Sequence, residues 1–424
     1  MTHDTNIPQG YKATALGIIP QEWEVMRLED LCHNQGDYGI NAPATDFSDK
    51  LPTYLRITDI DDDGKFIIAN KASVNNPNSG SYHLKDGDIV FARTGATVGK
   101  TYLYNRDDGD LVFAGFLIRF SPNVQKIVPY YLKAYTNTSA YWKWVKIASQ
   151  RSSQPGINAT EYCSLQIPVP PLAEQRKIAE VLGVWDEAIE KQARLIEKLA
   201  LRKRALMQRL LSAKLRLPGF SSPWQKVKLG DIGDTYNGLS GKNKDDFEYG
   251  NAQFIPYINV FSNERIDTNN LGCVQIEPTE QQNTVKYGDI FFTVSSETPD
   301  EVGMASVLLE HLDNTYLNSF CFGYRLNNFS TLNPFFAAYL FRTEHFRNYM
   351  SVLAQGSTRF NISKKEVMKL KIDLPTIEEQ TAIAEVLTAA DREIELAKEK
   401  LERLRRQKRG LMQQLLTGKI RIKY

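Results

Sequence analysis

Residues 174–215 read EQRKIAEVLGVWDEAIEKQARLIEKLALRKRALMQRLLSAKL, and residues 379–420, 205 positions later, read EQTAIAEVLTAADREIELAKEKLERLRRQKRGLMQQLLTGKI. The superposition needs no gap. Glu174-Gln175 falls on Glu379-Gln380, Ile178-Ala179-Glu180-Val181-Leu182 on Ile383-Ala384-Glu385-Val386-Leu387, and Leu206-Met207-Gln208 on Leu411-Met412-Gln413. In each copy the apolar positions step by four and three. They pass through Ile178, Leu182, Trp185, Ile189, Ile196, Leu199, Leu206 and Leu210 in the first, and through Ile383, Leu387, Ile394, Leu401, Leu404, Leu411 and Leu415 in the second. This is a heptad seam, interrupted by Gln192 and by a lysine at the same place in both copies, Lys203 and Lys408. At about 1.5 Å per residue, roughly forty residues form a rod of about 60 Å. One apolar stripe on such a rod needs a partner helix, and the repeat supplies it. The sequence therefore predicts two long helices that pair and hold two similar bodies a fixed distance apart.

Outward from the helices, the duplication continues. Trp23 and Val25-Met26-Arg27-Leu28-Glu29-Asp30-Leu31 return as Trp224 and Val227-Lys228-Leu229-Gly230-Asp231-Ile232. Tyr54-Leu55-Arg56-Ile57-Thr58 is echoed by Tyr257-Ile258-Asn259-Val260, and Asp86-Gly87-Asp88-Ile89-Val90-Phe91 by Tyr287-Gly288-Asp289-Ile290-Phe291-Phe292. Short β-branched and aromatic runs broken by Gly and Asp read as strands joined by tight turns; residues 116–120 and 322–326 read as one more matched pair. Residues 129–144 and 334–350 read as matched helices that begin at proline. A polar loop precedes each long helix: Gln150-Arg151-Ser152-Ser153-Gln154, and Gln355-Gly356-Ser357-Thr358-Arg359. The order is strand-rich domain, long helix, strand-rich domain, long helix, with boundaries at 1–170, 171–216, 217–375 and 376–424. The stretches 34–52 and 235–253 share almost nothing. Similar scaffolds with dissimilar surfaces suggest two modules doing one kind of job on different targets.

With 424 residues the chain is long enough for two domains and connectors. A net charge of +2 makes any nucleic-acid surface a local patch. The four cysteines form no CxxC pair, and the five histidines fall in no metal-ligand spacing. Reduced thiols, no metal and a cytoplasmic, membrane-free protein are the expectation.

The motifs that invite enzymatic readings fail on spacing. Gly95-Ala96-Thr97-Val98-Gly99-Lys100-Thr101 has three residues between its glycines where a phosphate loop needs four, and the following residues read as a strand. A glycine turn presenting Arg93, Thr94 and Lys100 is the better reading. Asn333-Pro334-Phe335-Phe336 approaches the tetrapeptide of amino-methyltransferases but lacks the second proline, and Asn333 reads as a helix cap. Asp61-Asp62-Asp63 and Asp245-Asp246 lie in polar turns, and no nucleophile–base constellation is found. The polar loops remain. Arg, Ser, Thr, Gln and Asn bond phosphate oxygens and base edges, and they gather at the same place in each module. The candidate DNA contacts are Arg93, Thr94, Lys100, Arg151, Ser152 and Ser153 in the first, and Ser357, Thr358, Arg359 and Asn361 in the second.

In their order and duplication these features resemble the specificity subunit of type I restriction-modification systems. The carriers are Gly10-Tyr11, Ile19-Pro20 and Trp23; Gly87-Asp88-Ile89-Val90, Arg93-Thr94-Gly95 and Val98-Gly99-Lys100; Gly356-Ser357-Thr358-Arg359-Phe360-Asn361-Ile362; Pro170-Pro171-Leu172 before Glu174-Gln175; and Arg216, Pro218-Gly219-Phe220 and Trp224. The resemblance implies an α+β chain of two α/β target recognition domains, separated by two long antiparallel helices in a coiled coil, with an internal pseudo-two-fold repeat. Each domain would read one half of a split target in double-stranded DNA, and the helices would dock two modification (methyltransferase) subunits. Restriction subunits would complete the enzyme, and S-adenosylmethionine, ATP and Mg would belong to the partners, leaving this chain without cofactor or catalysis of its own. The loop pattern departs in the first half, where Arg151 stands for the Gly and Gln154 for the Arg. The strand-end pattern departs in the second, where Val294-Ser295-Ser296 replaces Arg-Thr-Gly. The alternatives are a specificity subunit of a related system, a self-sufficient methyltransferase, and a coiled-coil scaffold that reads no DNA.

Overall fold

Ile89-Val90-Phe91-Ala92 is apolar at every position, so neither face of that strand can meet water and it must lie between two cores. The computed structural model of the chain, which describes residues 7–150, 154–356 and 359–422, with Glu248 by its backbone alone, shows this arrangement. Ile89 and Phe91 face Trp23, Tyr131 and Tyr162, while Val90 and Ala92 face Leu55, Leu111 and Phe113. Ile89–Ala92 pairs antiparallel with Leu117–Phe120 and Thr101–Leu103, and Asp37–Tyr38 extends the sheet. A second sheet is built on Thr53–Leu55, which runs parallel to Leu111–Phe113. The second module repeats the plan. Ile290–Thr293 lies between Cys321–Leu326 and Ala305–Val307, with Ile290 and Phe292 in one core and Phe291 in the other. Phe247–Ile255 runs parallel to Thr315–Leu317.

The chain divides into two compact units, Met1–Ala193 with Glu399–Tyr424, and Arg194–Lys398. Each takes one module and half of each long helix, Leu172–Leu210 and Ile377–Leu415. Every predicted seam residue is buried or half-buried. In the first unit Ile178 and Leu182 join Met412, Leu415 and Leu416 in the module core. In the second, Leu210 joins Ile383 and Leu387. The lysines that interrupt the seam have a purpose. Lys408 Nζ donates to Asp186 Oδ1 at 2.5 Å, and Lys203 Nζ lies 2.7 Å from Asp391; Asp186 and Asp391 are 205 apart, as the lysines are. A tyrosine donates to each of these aspartates, Tyr130 in one unit and Tyr339 in the other. The helices run antiparallel within each unit. Asp186 meets Lys408 while the earlier Glu174 meets Arg421, and Lys203 meets Asp391 while the later Arg216 meets Glu379. A single polar contact of this kind fixes the register of a coiled coil.

Both helices start on the same buried device. Gln175 Oε1 accepts from Val128 N, and its Nε2 donates to the carbonyls of Lys126 and Pro170. Gln380 does the same with Asn333 N and the carbonyls of Thr331 and Pro375. Glu174 holds Arg421 at 2.6 Å, and Glu379 holds Arg216 at 2.6 Å.

Three expectations are corrected. Tyr257–Ser262 is a helix, not a strand. Pro256 precedes it, and the buried Asn259 side chain donates to the carbonyls of Asp267 and Asn270, an anchoring that overrides β-branched propensity. Each helix that begins at proline is two helices, Pro129–Tyr135 with Ser139–Ala148, and Pro334–Leu340 with Glu344–Leu353; Thr138 and Thr343 cap the second of each pair. The matched strand is offset by 204 rather than 206, since Ala92 and Thr293 pair with Leu117 and Cys321. An even shift keeps every side chain on its face, so the apolar pattern alone could not distinguish the two offsets. As expected, Asn333 caps its helix, accepting from Phe335 N and Phe336 N.

The repeat also exposes one strained residue. Ala213 has φ +57°, and Gly418, its equivalent, has φ +71°. An L side chain in this region costs about 1–2 kcal/mol, partly offset by the entropy glycine loses on folding. Ala213→Gly is expected to raise stability by about 0.5–1 kcal/mol in a urea titration. Gly418→Ala is expected to lower it, because a Cβ there would lie 2.3 Å from Pro20 Cδ.

Candidate nucleic-acid interface

In both modules the central strand runs out at one edge, and there the segment after it meets the chain leaving the polar loop. In the first module Thr94 forms an antiparallel bridge with Gly156, Arg93 N donates to Phe116 O at 3.0 Å, and Ile157 N donates to Arg93 O at 2.8 Å. In the second, Ser295-Ser296 pairs with Phe360-Asn361, Val294 N donates to Phe320 O at 2.9 Å, and Ile362 N donates to Val294 O at 3.0 Å. Arg93 thus corresponds to Val294, Thr94 to Ser295, Phe116 to Phe320 and Gln154 to Arg359. Two separate sequence candidates, the strand-end turn and the polar loop, form one edge.

Each edge carries an arginine on an aromatic ring, supplied from opposite sides of the bridge. Arg93 Cζ sits 4.9 Å from the centroid of Tyr38, and Arg359 Cζ sits 5.9 Å from that of Phe320. Stacking of this kind orients the guanidinium plane while leaving its N–H fork for a ligand. Phe116 and Phe320 are 56% and 55% exposed. One exposed phenylalanine needs no explanation; its recurrence at the same place beside an arginine, in modules with different loops, marks a shared surface.

The remaining candidates divide. Lys100 Nζ is bound to Asp62 at 2.6 Å and draws that carboxyl below its usual range, so the structure gives the lysine a partner within its own module. Asn361 exchanges backbone hydrogen bonds with Gln355 and its Nδ2 donates to Arg359 O. It holds the turn that presents Arg359. Arg151, Ser152, Ser153, Ser357 and Thr358 lie outside the described residues. The Gly95–Lys100 segment forms one short turn, and a strand, Thr101–Leu103, follows it.

In the second module the edge opens into a cleft of about 730 Å³ lined by Tyr257, Ser295, Ser296, Glu297, Phe320 and Arg359. Tyr257 donates to Ser295 O at 3.0 Å, and burial raises its pKa, so it stays neutral. Sequence reasoning missed Tyr38, Phe116, Tyr257, Glu297 and Phe320. Aligning the modules at 204 would have placed Phe116 on Phe320; nothing in the sequence brings Tyr38 or Tyr257 to this edge. Asp88 and Asp289 are buried turn anchors, accepting from Lys85 N and Lys286 N. Among the described residues no cluster of His, Cys, Asp and Glu suits a metal ion, and no helix is long and apolar enough to cross a membrane.

The family model for the type I restriction modification DNA specificity domain matches residues 20–200 and again 221–406. Two relatives from Methanocaldococcus jannaschii align over nearly their whole length. A chain assigned to the MjaX type I restriction enzyme as its specificity subunit is 27% identical over 98% of this chain and 97% of its own. The MjaVIII specificity subunit is 25% identical over 96% and 94%. A solved chain from work on complex assembly and conformational transition of the type I R-M system shares the fold, with a TM-score of 0.61 at 20% identity over 95% of this chain and 99% of that one.

Proposed function

Because the chain belongs to the type I restriction modification DNA specificity family, with two tandem recognition domains, we propose that each module reads one half of a bipartite sequence in duplex DNA. The helix pair sets the gap between the halves and docks two modification subunits. Adenine methylation with S-adenosylmethionine, and cleavage driven by ATP and Mg, take place on the modification and restriction partners in the cytoplasm. Exposed apolar side chains off the seam, Val184, Leu195, Leu201 and Leu396, supply helix surface for that docking.

The observation that carries this reading is the repeated edge with unequal side chains. Arg93 and Gln154 in one module stand where Val294 and Arg359 stand in the other. Reading two different half-sites requires the same placement on the groove and different groups at the base edges. A scaffold would have no reason to vary these positions while keeping their backbone bonds.

The test is a genome-wide map of methylated adenines in cells that supply a modification subunit, with and without this chain. Methylation at a motif of two short specified blocks and a fixed unspecified gap, present only with this chain, is expected. Methylation that is indifferent to the chain, or a single continuous motif, overturns the reading. S-adenosylmethionine bound by the isolated chain would favour a self-sufficient methyltransferase instead.

A further inference from the structure

The cleft of the second module carries one free donor fork, one free carboxylate and one aromatic face. Among the described residues neither Arg359 nor Glu297 forms an ion pair, although both line the same cleft. Two of its hydroxyls are engaged. Ser296 Oγ donates to Glu301 at 3.0 Å, and the Tyr257 hydroxyl is used on Ser295 O. We propose that this cleft reads a G·C base pair in the major groove, with Arg359 on guanine O6 and N7 and Glu297 accepting from cytosine N4. The inference rests on the DNA-reading function argued above.

The base edges decide the assignment. Guanine offers two acceptors to a guanidinium and cytosine one donor to a carboxylate. In an A·T pair, adenine N6–H₂ would confront the guanidinium and thymine O4 the carboxylate, so both side chains select against it. A phosphate contact for Arg359 is disfavoured by Glu297, whose charge would repel the phosphate across the same cleft. At the corresponding positions the first module carries no charge pair. Gln154 stands at the place of Arg359 and, by the same register, Ala96 at that of Glu297. The charge pair thus belongs to one half-site.

The experiment uses the complex of the full chain with its modification subunits and labelled duplexes carrying the mapped target or single base-pair changes. Changing one G·C to A·T in one half should weaken wild-type binding by about 10- to 100-fold. Arg359→Ala should remove most of that discrimination, Arg359→Lys and Glu297→Ala should each reduce it, and discrimination in the other half should persist, which shows that the variant complex is folded. Unchanged discrimination in Arg359→Ala overturns the proposal. So does a uniform loss on all duplexes with a shallower salt dependence, the mark of a phosphate contact. A wild-type complex that prefers no duplex would overturn the DNA-reading function itself, a different outcome from either.

Discussion

Gln380→Ala is expected to lower the stability of the protein by about 3–5 kcal/mol, seen as a shift of the denaturant midpoint. Gln380 is 1% exposed, and its amide satisfies Asn333 N, Thr331 O and Pro375 O, all within 2.9 Å. Truncation leaves three backbone groups without their partner. Each orphan costs about 1–3 kcal/mol, and water admitted to the new space returns part of the sum. The carbonyl of Pro375 and the amide of Asn333 belong to segments that enter the long helix and the short helix packed beside it, so both lose their anchor together. Gln175→Ala should behave alike in the first unit. A loss below about 1 kcal/mol would mean that the glutamine is incidental and that the repeat at this position has another cause.

Lys203→Glu should cost a similar amount by a different route. The ammonium lies 2.7 Å from Asp391 and 2.8 Å from Glu264, with 14% of the side chain exposed. Burial works against its charge, but the two carboxylates outweigh that, and Lys203 titrates above its usual range. A lysine whose folded pKa is raised contributes its full stability below the unfolded value, near pH 10.4, and loses it as pH rises through the folded value. At neutral pH the whole contribution is therefore present. Charge reversal turns two attractions into two repulsions in a partly shielded site, a change of about 3–5 kcal/mol. Adding Asp391→Lys should recover at least half by restoring one pair in the opposite sense. Absence of recovery would show that the lysine acts through packing and not through the ion pair that fixes helix register.

These two residues also show how far the sequence could be read. The doubled heptad, with a lysine at the same step of each copy, was visible because period and repeat are properties of the string. What that lysine touches was not, because Asp186 and Asp391 lie on the opposing helix and only the antiparallel pairing brings them into reach. The same limit governs the site. Arg93 could be chosen from its glycine turn and Arg359 from loop composition, yet they occupy unequal positions, and only the bridges Thr94–Gly156 and Ser295–Asn361 reveal that they serve one edge. Tyr257 was misread because β-branched neighbours suggested a strand, while buried Asn259 and the preceding Pro256 impose a helix that turns its ring into the cleft. Local pattern identifies most elements, but the one at Tyr257 and the partners of each side chain are set by contacts outside the local run.

Two modules that read two separate halves of one DNA target should be exchangeable one at a time. The most direct measurement exchanges residues 7–170 for the corresponding segment of a specificity subunit with a different known target, and then maps the methylated motif. One block of the motif should change to that of the donor, while the other block and the length of the gap stay as they were. A motif in which both blocks change, or neither does, would contradict the claim.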